Sequence, residues 1–145
     1  MNGFFMSRFE DATLGLLRVM AGLMFMQHGA QKLFGALGGV GPEGGSAPLV
    51  SLMGLAGVLE FFGGLLVAFG LFTRPVAFVL AGQMAFAYFM AHHPQSFWPI
   101  LNRGELAALY CFVFLYFSAR GPGRYSLDAM IGRGRGAPEA PPRRI

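Results

Sequence analysis

LVSLMGLAGVLEFFGGLLVAFGLF, residues 49–72, decides the fold: an unbroken apolar run whose one ionisable side chain, Glu60, stands at its middle. At a helical rise of about 1.5 Å per residue, such a run can cross a hydrocarbon core about 30 Å thick. Three more apolar blocks occupy residues 12–34, 75–91 and 104–119. The last two are short for a crossing, and a small tilt or a locally thinned bilayer would accommodate them. Breakers separate the blocks. Gly38, Gly39, Gly41, Pro42, Gly44 and Gly45 fill the first interval, and Thr73-Arg74-Pro75 makes a tight turn in the second. In the third, Pro94 to Arg103 carries Phe97 and Trp98, which suit a re-entrant or interfacial loop. The pattern predicts an all-α, polytopic membrane four-helix bundle over residues 1–132. Residues 133–145, RGRGAPEAPPRRI, cannot bury a core and are expected to form a disordered basic tail.

Composition supports lipid as the solvent. Of 145 residues, 54% are hydrophobic and 12% charged, against about 45–50% and about 25% in soluble domains. A water-exposed surface cannot be made from so few charges. The net charge of +4 does not indicate nucleic acid, because most arginines follow residue 119 and no basic helix carries stacking aromatics. Cys111 is the single cysteine, which excludes an intramolecular disulfide and a CxxC redox site. P-loop, GxGxxG, HExxH and GxSxG motifs are absent from the sequence. With four crossings, Arg8, Arg74, Arg120, Arg124, Arg133, Arg135, Arg143 and Arg144 share one side, while Arg103 and Lys32 lie toward the other. The positive-inside rule therefore expects both termini in the cytoplasm.

Ionisable groups at membrane depth are costly, and they are the candidate functional residues. The first block carries Arg18, Gln27, His28, Gln31 and Lys32, the second Glu60 and the third Gln83; Glu105 opens the fourth. Counting helical rise from the cytoplasmic end places Arg18 at ~9 Å, Gln83 at ~12 Å, Glu60 at ~18 Å, Glu105 at ~21 Å and His28 at ~24 Å. Glu60, Glu105 and His28 are thus expected in one layer, with Lys32 a turn further out. His28 and Lys32 are i,i+4 neighbours, as are Gln27 and Gln31, so the four make one polar face. Gly57, Glu60, Gly64 and Ala68 fall on one stripe that would admit a close helix and turn Glu60 into the contact. A carboxylate there needs a proton or a cation. Its candidate partners are the His28/Lys32 face and Arg18. A purely structural ion pair is an equal alternative at Glu60, and the structural reading is favoured at Gln83. His92 and His93 stand at an interface before Pro94; a metal role there, or haem ligation by His28 with His92, is the minority expectation.

Three stretches in order carry a family resemblance. LLRVMAGLMFMQHGAQKLFG (16–35) and GLAGVLEFFGGLLVAFGLFTRPVA (54–77) resemble the first two helices of the DoxX family of small bacterial membrane proteins. NRGELAALYCFVFLYFSARGPGRYSLD (102–128) resembles its last helix and following segment. The resemblance implies a four-helix bundle in the bacterial inner membrane, related to DoxD-type subunits of thiosulfate:quinone oxidoreductase. By position, the family's polar residues correspond to Gln31 or Lys32, Glu60, Arg74, Glu105 and the Gly121-Pro122-Gly123 turn.

The resulting expectation is an accessory subunit of a quinone-linked redox system, with no catalysis of its own. Its partners would be the bilayer, an oxidoreductase subunit and other copies of the chain, and not nucleic acid. A quinone head needs hydrogen bonds in an apolar slot, which His28, Gln31, Glu60 or Glu105 would supply. A small-solute permease lined by Glu60 and Lys32, or a scaffold, is the alternative.

Overall fold

The computed structural model describes residues 2–134, with side chains described for residues 7–132. Most of the stretch expected to form the basic tail, residues 135–145, lies outside the described residues. The described chain is all helix with no strand: α1 (Asn2–Phe34), α2 (Leu52–Phe69), α3 (Thr73–Ala87), the one-turn α4 (Pro99–Asn102), α5 (Glu105–Arg120) and α6 (Leu127–Gly134). A π-helical turn, Tyr88–His92, prolongs α3. Ser51 starts α2 by accepting a 2.9 Å hydrogen bond from the Gly54 amide. Gly70 ends it in the left-handed region, at φ 70°, where Leu71 N donates to Leu66 O at 2.9 Å. This is the usual glycine stop for a helix.

The long helices pack as two close pairs, α1 with α2 and α3 with α5. Glycines set the first pair. A Cβ on Gly22 would lie 2.5 Å from Gly64 O, and one on Gly29 would run into the Phe61 backbone. Such backbone proximity is how helices associate where lipid offers no hydrophobic drive. The second pair buries Ala77, Leu80, Ala81 and Met84 against Tyr110, Phe114 and Phe117. Phe25 of α1 joins the two pairs, edge-on to Phe114 at 4.8 Å and tilted to Tyr110 at 5.1 Å.

Polar side chains fasten each end of the bundle, with Arg18 buried at one and Asn102 at the other. At the α2–α3 turn, Arg18 is 2% exposed and donates to Tyr125 O at 2.7 Å. Asp128 of α6 accepts from Phe72 N at 2.9 Å and Thr73 N at 3.0 Å, capping α3 from a distant segment. Arg74 donates to Ser118 O and Ala119 O at 3.1 and 2.6 Å, closing the last turn of α5. At the other end Asn102, 1% exposed, donates to Ser96 O at 2.7 Å and accepts from Gly104 N at 2.7 Å. It thereby staples the segment between α3 and α5. α6 was not expected. Its Leu127, Met130 and Ile131 are exposed on one side.

Among the described residues two helical stretches combine the length and apolarity of a bilayer crossing, Leu52–Phe69 (mean hydropathy 2.0) and Thr73–His92 (1.3). Four crossings were expected. α5 has 16 residues, below the usual minimum of about 17, and α1 carries several charges. The core helix of a soluble protein passes the same length and apolarity test, but it is mostly buried. Here only 39% and 22% of the two windows are buried inside the protein. Phe62, Phe69, Phe78, Phe86, Phe89 and Phe112 are exposed, an outward apolar surface far beyond what a water-soluble monomer carries.

Candidate functional site

The antiparallel run of α1 on α2 brings Lys32 beside Gly57, whose absent side chain leaves room for it: a Cβ there would lie 3.0 Å from Lys32 Cβ. One helical turn along α2 stands Glu60. Lys32 Nζ reaches its Oε2 at 2.5 Å, with the two side chains 17% and 5% exposed. Gln83 of α3 donates to the other oxygen, Oε1, at 3.0 Å, and more weakly to Ala56 O at 3.4 Å. Lysine, carboxylate and amide therefore tie three helices at one point, and the carboxylate has a partner on each oxygen.

This polar group forms part of the wall of a cleft of about 1000 Å³. The cleft lies between α2 and α3 at the end away from their turn, with α1 and α5 contributing residues behind it. Its sides are apolar, including Leu59, Phe86 and Met90, and His28 and Lys32 enter from α1. His92 and Arg103 line it at the loop end. Below the level of Glu60, buried Phe25, Val67, Phe114 and Phe117 fill the bundle. Gly82 belongs to the lining, and a Cβ on it would meet nothing within 4 Å.

The remaining expected residues go elsewhere. Arg18 is not the partner of Glu60, because it sits at the opposite end of the bundle with Tyr125; fourteen residues of α1 separate it from Lys32, about 21 Å of helix. Glu105 does not line the cleft with Glu60 and His28. It is exposed in the first turn of α5, where a carboxylate complements the helix N-terminus. Gln31 donates to Leu37 O at 3.3 Å, holding the glycine-rich loop outside the cleft. His92 Nδ1 lies 3.0 Å from Asn102 O. His93 packs on Phe89 and Phe97, at ring distances of 5.7 and 6.0 Å. Among the described residues no three or more His, Cys, Asp or Glu side chains gather in a metal-binding group.

Of the buried polar residues of the cleft, Gln83 was expected in a structural role, and Tyr110 has no mark in the sequence that singles it out. The Tyr110 ring is stacked among Phe25 and Phe114, the residue is 6% exposed, and its hydroxyl has no hydrogen-bond partner. Gln83 Oε1 is likewise buried and unpaired. An apolar cleft with a few convergent polar groups is the common form of a small-molecule site. A quinone fits this lining: apolar walls for the ring, and the Lys32 ammonium as a donor for a carbonyl.

Fold and site together define a class: a small, all-helical membrane protein with an apolar cleft beside a buried ion pair. Within that class, the DoxX family model matches residues 13–93. The chain belongs to the DoxX family. It is 40% identical over 130 residues to an uncharacterized protein of Haemophilus influenzae, covering 85% of this chain and 93% of that one. It is 29% identical over 142 residues to the inner membrane protein YqjF of Escherichia coli, covering 88% and 98%. It is 31% identical over 128 residues to the putative oxidoreductase CatD of Bacillus subtilis, covering 88% and 92%. No solved structure matches the chain.

Proposed function

We propose that this protein binds a membrane quinone in the α2–α3 cleft and serves as an accessory subunit of a redox system in the bacterial inner membrane. The observation that carries this reading is the cleft itself, apolar on its sides, with Lys32, Glu60 and Gln83 locked together in its wall. A lipid-soluble ring would enter between α2 and α3, where the walls are open to hydrocarbon. His28 and Lys32 would orient its oxygens. The packed aromatic core below Glu60 supports a closed-ended pocket rather than a solute path. The name of the Bacillus relative, putative oxidoreductase, adds support for a redox setting, and that of the Escherichia relative for the inner membrane.

Gly82→Phe tests the site. A side chain there grows into open cleft, so the variant should fold as wild type does. Titration of a decyl-tailed benzoquinone into protein in lipid nanodiscs should give saturable binding to wild type and at least a tenfold loss in Gly82→Phe. Equal binding by the two would remove the cleft from consideration.

The same reading has four crossings with both termini in the cytoplasm, because Arg74, Arg120 and Arg124 lie at the end opposite Arg103. Reporter fusions after Gly35 and after Gln95 should then be active only on the periplasmic side. A fusion at either position active in the cytoplasm would overturn this topology.

A further inference from the structure

Three side chains that line the cleft carry a full charge, Lys32, Glu60 and Arg103. Lys32 and Glu60 compensate each other. Arg103 has no carboxylate partner among the described residues. An otherwise apolar cleft therefore ends, on its loop side, in one uncompensated positive charge. Arg103 is exposed, and its guanidinium offers five N–H donors in a planar fork that matches an oxyanion.

The backbone holds that charge in place against its own preference. Arg103 lies in the left-handed region, at φ 59°, where glycine is at ease and an arginine is not. The residues on either side are pinned. The Asn102 side chain donates to Ser96 O at 2.7 Å and accepts from Gly104 N at 2.7 Å. A Cβ on Gly104 would lie 2.7 Å from both Asn102 Oδ1 and the Tyr88 ring. His92 Nδ1, 3.0 Å from Asn102 O, must carry the hydrogen, because a carbonyl only accepts. That bond ties the π-helical turn Tyr88–His92 to the residue before Arg103. π-Helical turns recur at functional sites, and backbone strain at one residue is retained where its side chain is needed.

We propose that Arg103 is the headgroup site of an anionic phospholipid seated at the loop end of the cleft. Its guanidinium pairs with the phosphodiester oxygens, and the acyl chains lie over the exposed Leu52, Met53 and Met90 at the cleft mouth. The depth is right for a phosphate. Phe97, Trp98, Ile100 and Leu101, just before Arg103, are exposed, and aromatic side chains of this kind sit at the level of lipid headgroups. A headgroup with its own ammonium compensates its phosphate internally, so the site favours a lipid of net negative charge. The lipid closes the loop end whatever fills the inner cleft, because Glu60 stands about 12 Å further along α2 than Leu52.

The test is native mass spectrometry of the full chain in detergent micelles, titrated with dioleoyl phosphatidylglycerol or with dioleoyl phosphatidylcholine. Wild type should bind one phosphatidylglycerol about tenfold more tightly than phosphatidylcholine, as expected for a charge-assisted hydrogen-bonded pair. Arg103→Gly should lose that preference yet melt no lower than wild type, since glycine adopts the left-handed conformation freely. Arg103→Lys should keep most of it. Arg124→Gln, at the opposite end of the bundle, should leave it unchanged. Should Arg103→Gly fail to fold, Arg103→Asn, which also tolerates a positive φ, takes its place. Equal affinity for the two lipids, or a preference that survives loss of the arginine, would overturn the site. Displacement of the lipid by millimolar glycerol 3-phosphate would assign Arg103 to a soluble anion and overturn the lipid assignment; no displacement is expected.

Discussion

Lys32→Met should lower the stability of the purified protein by about 3–5 kcal/mol, the cost of leaving one member of a buried ion pair without the other. The Glu60 carboxylate is 5% exposed, and its Oε2 has Lys32 Nζ at 2.5 Å. With Met in place of Lys, only the Gln83 amide remains to face it. The double variant Lys32→Met, Glu60→Met should recover most of the loss, since a well-packed apolar pair replaces a desolvated ionic one at little net cost. Denaturant unfolding in mixed micelles, followed by circular dichroism, reads both. A single variant as stable as wild type would mean that the ion pair does not support the bundle.

The second large effect is steric. Gly29→Leu should cost about 3 kcal/mol or more, at the top of the range for overpacking, because its Cβ falls on the backbone of Phe61. No rotamer change relieves a clash with main chain, so α1 and α2 must separate and loosen the Gly22–Gly64 contact two turns away. Gly82→Ala is the matched control. It adds a methyl group in open space and should leave stability unchanged or raise it by up to about 1 kcal/mol through helix propensity. Fraction of protein recovered unaggregated after detergent extraction separates the two. Similar recovery for both variants would contradict the close α1–α2 crossing.

The positions of the long helices were readable because they coincide with apolar runs between glycine and proline breakers. The rotation of those helices was not. In a membrane protein the face toward lipid and the face toward the core are both apolar, so α3 carries Val, Phe and Met, and α5 Leu, Phe and Tyr, around much of their circumference and no stripe marks the inside. Tyr110 is one aromatic among many in its block, and nothing in spacing singled it out. Depth counting failed for related reasons. It put Gln83 about 6 Å below Glu60 on the assumption of upright helices, yet the two are hydrogen-bonded. It also placed Glu105 in the layer without knowing which way it faces.

That Glu60 needs a cation could be read from one carboxylate in an apolar run. Which cation answers it depends on the α1–α2 register, set by Gly22, Gly29, Gly57 and Gly64. α6 had a local signal that was passed over: Ser126 precedes Leu127, Met130 and Ile131, and its hydroxyl accepts from Ala129 N at 3.2 Å. The partnership of Asp128 with the start of α3, 55 residues away, left no mark in the sequence.

A quinone held in the cleft between α2 and α3 should leave the native membrane with the protein. Native mass spectrometry of the protein released gently from its own membranes addresses it most directly, with wild type and Gly82→Phe compared. A quinone-sized adduct is expected on wild type, retained together with any oxidoreductase partner, and lost in Gly82→Phe. Wild-type protein carrying only phospholipid would contradict it, as would a quinone adduct that survives the filling of the cleft.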